Sequence, residues 1–480
     1  MTLNQLLIKS PARWLEEHGK RWWRPALVLS VLAISVLAPY MLPGNRIPLL
    51  IGVLPALAIF ILILRWPSLG LAALIVTSLI VRSPNLPGGL NLAVLLLAFL
   101  VGLWVLGMIV YKRVWLFPSR SIRPLLALVL VACISFGIGQ LGWFSYAQPA
   151  PIDAQIGGLL IFILSVGAFL IAAHQITSLR WLQWLTFLFI GLGALFILGW
   201  LVSPVGRITG QIFQIGATSN SMFWTWLVAL AFSQAVFNQK LPIPWRIVLI
   251  GIVLLTIYVA YFNNSGWKSG YLPALAAIAA MVGARSWRAG LFIGLVSILP
   301  AMYLSSEAIA TDEYSYSTRL DAWIIMWEVI KVNPLLGFGP ANYYWYTPLF
   351  RIRGYAVQFS SHNQYIDIAA QTGILGLICF LWWGVEMALI ALRLRKTAAE
   401  GFAQAYVYGV IGGLVGTFVA AALADWVFPF VYNIGLNGMR GAILAWIFLG
   451  GLIAVEQMTL NQAGERSSIQ SKELIAGGRT

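Results

Sequence analysis

What this sequence has least of is charge. Only 9% of its 480 residues are Asp, Glu, Lys or Arg, whereas soluble domains carry about 25%, and that excludes a soluble core as the organising principle. Acidic residues are the rarer sign, 15 against 30 Lys and Arg. No Asp-x-Asp pair falls on the outer side of the membrane as assigned below, so nothing visible calls for a divalent metal or a cofactor. Cys133 and Cys379 each sit inside an apolar run, which speaks against a disulfide framework and leaves buried thiols. The apolar runs lack the alternation of barrel strands, and no internal repeat is present. The basic start lacks the short apolar stretch and small-residue cleavage site of a removable signal peptide. A net charge of +15 would suit nucleic acid, but the cations lie between apolar runs.

What is there instead is hydrophobic length. Lipid cannot satisfy backbone polar groups, so continuous runs able to cross about 30 Å of hydrocarbon are read as helices. Candidate spans are 25–43, 47–64, 67–82, 91–111, 124–144, 158–177, 182–202, 221–238, 246–262, 271–285, 289–305, 366–392, 405–424 and 440–456. The expected fold is an all-α integral membrane bundle of about 12 to 14 transmembrane helices, the third and tenth spans being short. Cytoplasmic loops collect Lys and Arg. With the N-terminus inside, the two sides hold 21 and 9 of the 30 cations, which places both termini in the cytoplasm. The expected organisation is a basic cytoplasmic segment 1–24, helices over 25–305, one large outer loop 306–365, further helices over 366–456 and a polar cytoplasmic tail 457–480. His174, Glu386 and Glu456 fall toward the cytoplasmic ends of their spans.

The outer side carries the polar residues of interest. In the large loop, Ser317 or Thr318 would cap a helix whose apolar positions Leu320, Trp323, Ile324, Trp327 and Ile330 share a face, with Asp321 in its first turn, Lys331 in its last and Pro334 after it. That reading puts Arg319 at a helix N-terminus, a setting that favours an anion. The helix would lie on the membrane surface or pack as a lid. The segment Pro334-Leu335-Leu336-Gly337-Phe338-Gly339-Pro340-Ala341-Asn342 is a shaped turn, since it lacks the flanking strand and helix of a nucleotide loop. Ser361-His362-Asn363-Gln364-Tyr365 leads into a span, and an imidazole there suits a general base, with Asp367 and Asp425 as substitutes. Arg207 and Asn220 belong to one further outer segment and Lys268 to another. Snorkelling at a helix end is the plain reading of Arg207 and Lys268. Taken with Arg319 and His362 they would instead clamp a diphosphate at the lipid surface. Arg351 and Arg353 either join that set or belong to a solvated loop.

These segments resemble the O-antigen ligase and O-antigen polymerase family of bacterial surface polysaccharide assembly. The resemblance lies in Ser317-Thr318-Arg319 through Trp323, in Pro334-Leu335-Leu336-Gly337-Phe338-Gly339, and in His362-Asn363-Gln364-Tyr365 followed by Gly373-Ile374-Leu375-Gly376. Arg207 to Gly210 with Asn220 is similar to the family's earlier arginine element. Two positions depart from the pattern: Lys268 stands where an arginine is usual and lacks its bidentate fork, and Gln371 stands where an acid is common. The resemblance implies a membrane glycosyltransferase at the outer face of a bacterial inner membrane, expected to be metal-independent for want of an outer Asp-x-Asp pair and inverting for want of an outer carboxylate pair that could serve as nucleophile and acid. It would transfer or polymerise glycan from a polyprenyl-diphosphate-linked donor onto a glycan or lipid acceptor, with membrane lipids as partners and no nucleic acid. His362 and Arg319 would be catalytic, and Arg207, Lys268, Asn220, Asn363, Arg351 and Arg353 would bind substrate. Two other classes fit many spans: a secondary transporter of a small anion or glycan conjugate, and a scaffold for a polysaccharide assembly complex. A transporter, however, places ionisable groups or broken helices near the bilayer midplane.

Overall fold

The computed structural model describes residues 66–82, 89–263, 267–292, 295 and 313–477. Among them the architecture is all-α, with no strand beyond an isolated bridge between Ile352 and Tyr355. The α-helices of ten residues or more are α1 (Pro67–Leu79), α2 (Leu92–Val110), α3 (Ile122–Ile138), α4 (Ile152–Gln175), α5 (Leu179–Leu198), α6 (Ser203–Ile212), α7 (Ser221–Phe237), α8 (Ile243–Tyr258), α9 (Lys268–Arg285), α10 (Glu313–Val332), α11 (Gln364–Thr397), α12 (Phe402–Leu423) and α13 (Gly435–Gly477). Among the described residues seven are long and apolar enough to cross a membrane, namely α2, α4, α5, α8 with its π-helical continuation, α11, α12 and the first part of α13; α1, α3 and α7 are shorter apolar helices. The protein is a multi-pass membrane protein of the all-α class expected from its hydropathy. Of the expected spans, 25–43 and 47–64 lie outside the described residues, as do most of 289–305 and the first part of the large loop.

The chain divides into two compact units, Met1–Ala73 with Val105–Val114, and Leu74–Trp104 with Trp115–Thr480. The second holds the site. Its centre is α13, whose spanning window is wholly buried, whereas only 28% of the α8 window is. An apolar all-round helix can be buried on every side in a bundle, while lipid serves as well as protein for the outer faces. Along this centre α13 packs on α4, and α12 packs on α7 and α9.

Polar side chains gather at the two ends of the bundle. At one end Asn91 accepts from the N–H groups of Ala93 and Val94, both at 3.1 Å, and donates to Leu436 O at 2.7 Å. There too the buried Arg440 guanidinium donates to Thr77 O (2.8 Å), Ser78 O (3.2 Å) and Val81 O (3.1 Å). It satisfies carbonyls that the end of α1 leaves without helical partners. At the other end His174 Nε2 accepts from Phe117 N–H at 2.8 Å, which fixes the tautomer in which Nδ1 donates to Leu170 O at 2.7 Å. Glu456 accepts from Ser119 Oγ at 2.8 Å and pairs with Arg393. His174 and Glu456 therefore act as ties between helices at that end.

The ends are separated by the length of α12, 22 residues, or about 33 Å at 1.5 Å per residue. If they face opposite sides of a membrane, cysteines placed at Tyr355 and at Glu400, in a chain whose Cys133 and Cys379 are alanine, will react with an impermeant maleimide from opposite faces of sealed vesicles. Labelling of both from one face would contradict the arrangement.

Candidate active site

The site begins with a fault in a helix. α11 runs from Gln364 to Thr397, but Gly373 within it has φ 70° and ψ −177°, outside any helical region. The break frees carbonyls before it and N–H groups after it, which lipid would leave unsatisfied. The Pro334–Asn342 turn supplies partners for both: Phe338 N–H donates to Ala370 O and Gly339 N–H to Gln371 O, both at 2.9 Å, while Pro334 O accepts from Ile374 N–H at 2.7 Å and Leu335 O from Leu375 N–H at 3.4 Å. The approach is of backbone to backbone. A Cβ on Gly337 (φ 63°) would stand 2.6 Å from Ala370 O, and one on Gly373 would run into Leu335 O. The two glycine motifs are thus halves of one joint.

Side chains lock the joint. Asn342 accepts from Ala150 N–H (2.9 Å) and donates to Phe338 O (2.8 Å), Gly139 O (3.1 Å) and Gln155 Oε1 (3.3 Å). It ties the turn to the C-terminus of α3 and the start of α4. Gln371 accepts from Ala341 N–H at 3.1 Å and donates to Asp367 O at 3.2 Å. An acid would supply the first bond but lacks the hydrogen for the second. Met326, Val329 and Ile330 of α10 bury with Phe338, Tyr343, Tyr346 and Phe430. Each such side chain is worth about 1.5–3 kcal/mol relative to exposure.

On this platform two buried carboxylates flank the residues before His362. Asp367 Oδ1 accepts from Tyr343 Oη at 2.5 Å and Ser361 Oγ at 2.8 Å, and its Oδ2 is buried without a hydrogen bond. Burial, then the nearby Asp367 charge, push the Tyr343 hydroxyl well above its usual range, so it stays a donor. Asp425 accepts from Phe430 N–H (2.8 Å) and Asn433 Nδ2 (3.0 Å), and Asn433 Oδ1 in turn accepts from Ser360 Oγ at 3.0 Å. Burial raises the Asp425 carboxyl above the usual carboxylate range, against the pull of those hydrogen bonds and of His362. Ser360 and Ser361 therefore reach different acids, and His362 follows them with φ 47°. That is a left-handed backbone, uncommon for a residue with a side chain and enriched at functional sites. Its ring reaches solvent, yet partial loss of hydration holds its pKa below the ordinary value, Asp425 opposing this and Arg319 adding to it. The imidazole thus stands in the field of one acid and one guanidinium.

The residues singled out in the sequence fall into three groups. Arg319 acts on His362 through its charge. Arg319 is exposed on α10, one turn before Trp323, whose indole donates to Ser361 O at 2.8 Å. α10 already runs from Glu313, so Ser317 and Thr318 lie inside it and do not cap it. Arg319 is accordingly not at a helix N-terminus and acts as a cation without that dipole. Asp321, likewise well inside the helix, pairs with Arg353 at 2.7 Å. The expected apolar face is split: Ala322, Met326, Val329 and Ile330 are buried, whereas Leu320, Ile324 and Trp327 are exposed, so the helix covers the bundle with one stripe and presents another outward.

Asn220 and Asn363 serve their helices. Asn220 is fully buried, accepts from Met222 N–H at 2.9 Å and donates to Gly438 O at 3.0 Å. Asn363 caps α11 through Tyr365 N–H (3.0 Å) and donates to Ala422 O (3.2 Å), which fixes the backbone on which His362 sits. Lys268 opens α9 beside Trp267, which packs edge-on against Trp426, the neighbour of Asp425. Arg207 is exposed on α6, and Arg351 is exposed in the loop. Sequence reasoning named Asp367 and Asp425 merely as substitutes and missed Ser361, Tyr343 and Asn342. Asp367, five residues after the histidine on the helix that follows it, was readable as its neighbour; the link of Asp425, more than sixty residues on, to that histidine was not.

A polytopic bundle in which the Pro334–Asn342 turn plugs a broken helix, with a histidine in the field of an arginine and an acid, is the class defined so far. Residues 154–381 match the family model described as O-antigen ligase. No match to the chain is found among curated proteins. The matched stretch includes Arg319, the turn, His362 and Gly373, and ends before Asp425.

The joint makes a stability claim. Gly373→Ala would place a side chain at φ 70° and ψ −177°, a region open essentially to glycine alone, at about 1–3 kcal/mol, and against Leu335 O as well. Thermal unfolding of the purified protein will show a clear loss, with the turn displaced from α11. An unchanged unfolding temperature would mean that the two segments are not interlocked.

Proposed function

We propose that the protein is a glycosyltransferase that moves a glycan from a polyprenyl-diphosphate carrier to a hydroxyl of a glycan or lipid acceptor, at the outer face of the bacterial inner membrane. The observation that carries this reading is His362, held in left-handed backbone in the field of Arg319 and Asp425, within the segment that matches the O-antigen ligase family. The acceptor oxygen attacks the anomeric carbon and passes its proton to the neutral imidazole. The bond to the diphosphate breaks, polyprenyl diphosphate leaves, and configuration inverts, because a single displacement leaves no sugar on the protein. Asp425 holds the imidazolium that forms. Fixed cations stabilise the charge that grows on the leaving diphosphate, with Arg319 on α10 and Lys268 at the start of α9.

The carrier's tail has a matching surface. A groove of about 600 Å3 between α5 and α8, lined by Ile197, Leu198, Val248, Leu255 and Tyr258 among others, is almost wholly apolar. It lies toward the C-terminal ends of both helices, and α6 with Arg207 follows α5 directly. A polyprenyl chain in this groove would bring its diphosphate toward Arg207. The excess of cations on the opposite end supports a cytoplasmic location for that end, and a periplasmic or extracellular one for His362.

Purified protein in lipid, supplied with a synthetic polyprenyl-diphosphate glycan and an acceptor, will form product of inverted anomeric configuration. Retained configuration, or no turnover with any diphosphate-linked donor, would overturn the reading. The pH dependence tests the surroundings of the base. Since burial and Arg319 lower the His362 pKa, the neutral base persists below the ordinary value of about 6.5, and transfer will fall only on the acid side of it. Asp425→Asn removes the group that raises the pKa, so its acid limb will move to lower pH and its maximal rate will drop. Arg319→Ala removes a group that lowers it, so that limb will move to higher pH. Acid limbs that do not move in opposite directions would show that another group titrates.

A further inference from the structure

The end of the bundle opposite His362 carries a second polar site that glycan transfer does not use. A cleft of about 700 Å3 opens among the start of α5, the turn after α7 and the start of α12, with Arg180, Lys240, Glu400, Asn238, Trp184 and Phe187 in its lining. Two long helices, α5 and α12, begin there, and the first turns of helices present N–H groups that favour an anion. Lys240 is set by backbone. Gly401, with φ 100°, has no side chain where a Cβ would stand 2.8 Å from Lys240 Cδ, so the lysine stem lies across it.

The acceptors are what distinguish this cleft from a place where cations simply snorkel. Asn238 is 5% exposed and donates through Nδ2 to Gln234 Oε1 at 2.8 Å, but its Oδ1 is buried and receives no donor. Among the described residues no hydrogen bond or ion pair ties Arg180, Lys240 or Glu400. The cleft therefore offers two cations for an anion and, in its lining, an exposed carboxylate together with a buried amide oxygen that lacks a donor. Buried acceptors without donors are rare and call for a ligand or water. Trp184 is 73% exposed, as suits an aromatic side chain at head-group depth.

We propose that this cleft binds the head group of a phospholipid that carries both a phosphate and a primary ammonium, a phosphoethanolamine head, in the leaflet opposite His362. The phosphate lies with Arg180 and Lys240. The ammonium donates to Glu400 and to Asn238 Oδ1, and the acyl chains run along Trp184 and Phe187. A glycerol head satisfies the cations but leaves Glu400 facing an anion without a counter-charge. A choline head has no N–H for Asn238.

Native mass spectrometry of the purified full chain, titrated with phosphatidylethanolamine, phosphatidylglycerol and phosphatidylcholine of identical acyl chains, tests this without reference to glycan transfer. Phosphatidylethanolamine will bind about tenfold more tightly than either of the others, the effect of one charge-assisted contact. Glu400→Gln will abolish its advantage over phosphatidylglycerol, and Arg180→Ala combined with Lys240→Ala will weaken both lipids. Equal binding of the three lipids by the wild type would reduce the cleft to unselective lipid contact. A Glu400→Gln protein that still prefers phosphatidylethanolamine, or displacement of the lipid by millimolar inorganic phosphate, would likewise overturn the proposal. If the double variant fails to fold, the comparison of wild type with Glu400→Gln still decides.

Discussion

The structure around the site depends on how a break in a membrane helix is satisfied. A spanning helix can stop hydrogen bonding to itself only where other protein supplies the missing donors and acceptors. At Gly373 of α11 that supply is the backbone of the Pro334–Asn342 turn. Because the turn is held from both sides of the break, the segments on either flank of it are held too. α10 is drawn over the bundle, Tyr343 is brought to Asp367, and Asn363 caps α11 one residue after His362. The strained histidine stands at the end of this series, and its backbone conformation is over-determined by contacts that are not its own.

The same joint bears on the alternative of transport. Broken helices in transporters expose freed backbone groups to the ion or substrate they carry. Here the freed groups of Ala370, Gln371, Ile374 and Leu375 face the turn. His174 and Glu456, titratable groups within spans, are bonded at the end away from His362. The polar density instead gathers at the mouth of α11, where a reaction at the membrane surface would need it.

Much of this was legible in the sequence, for a physical reason. Hydrophobic length reports a spanning helix directly, so the helices from Pro67 onward fall where the apolar runs do. The glycine motifs and His362 were legible as a shaped turn and a candidate base, because clustered glycine and proline mark turns and an imidazole can take a proton near neutral pH. What the sequence did not reveal was long-range pairing. Ser317 and Thr318 read as a cap, since their hydroxyls favour that position, but the helix already runs through them and nothing local says so. Asn342 looked like the tail of a turn, yet it ties together segments some 200 residues apart. The role of Asp425 rests on Asn433 and Ser360, which meet only in three dimensions. Gln371 looked like a departure from an acid and keeps the bond an acid would accept.

The central claim is that His362 is the base and that the rest of the site binds without it. The most direct measurement is made on purified His362→Ala in lipid, reading both transfer and binding of the polyprenyl-diphosphate donor. General base assistance is worth about 10²- to 10⁴-fold, so the account predicts a loss of that order in transfer with donor binding intact. Transfer above about a tenth of the wild-type rate, with an unaltered pH profile, would contradict it and leave His362 as a residue that shapes the loop.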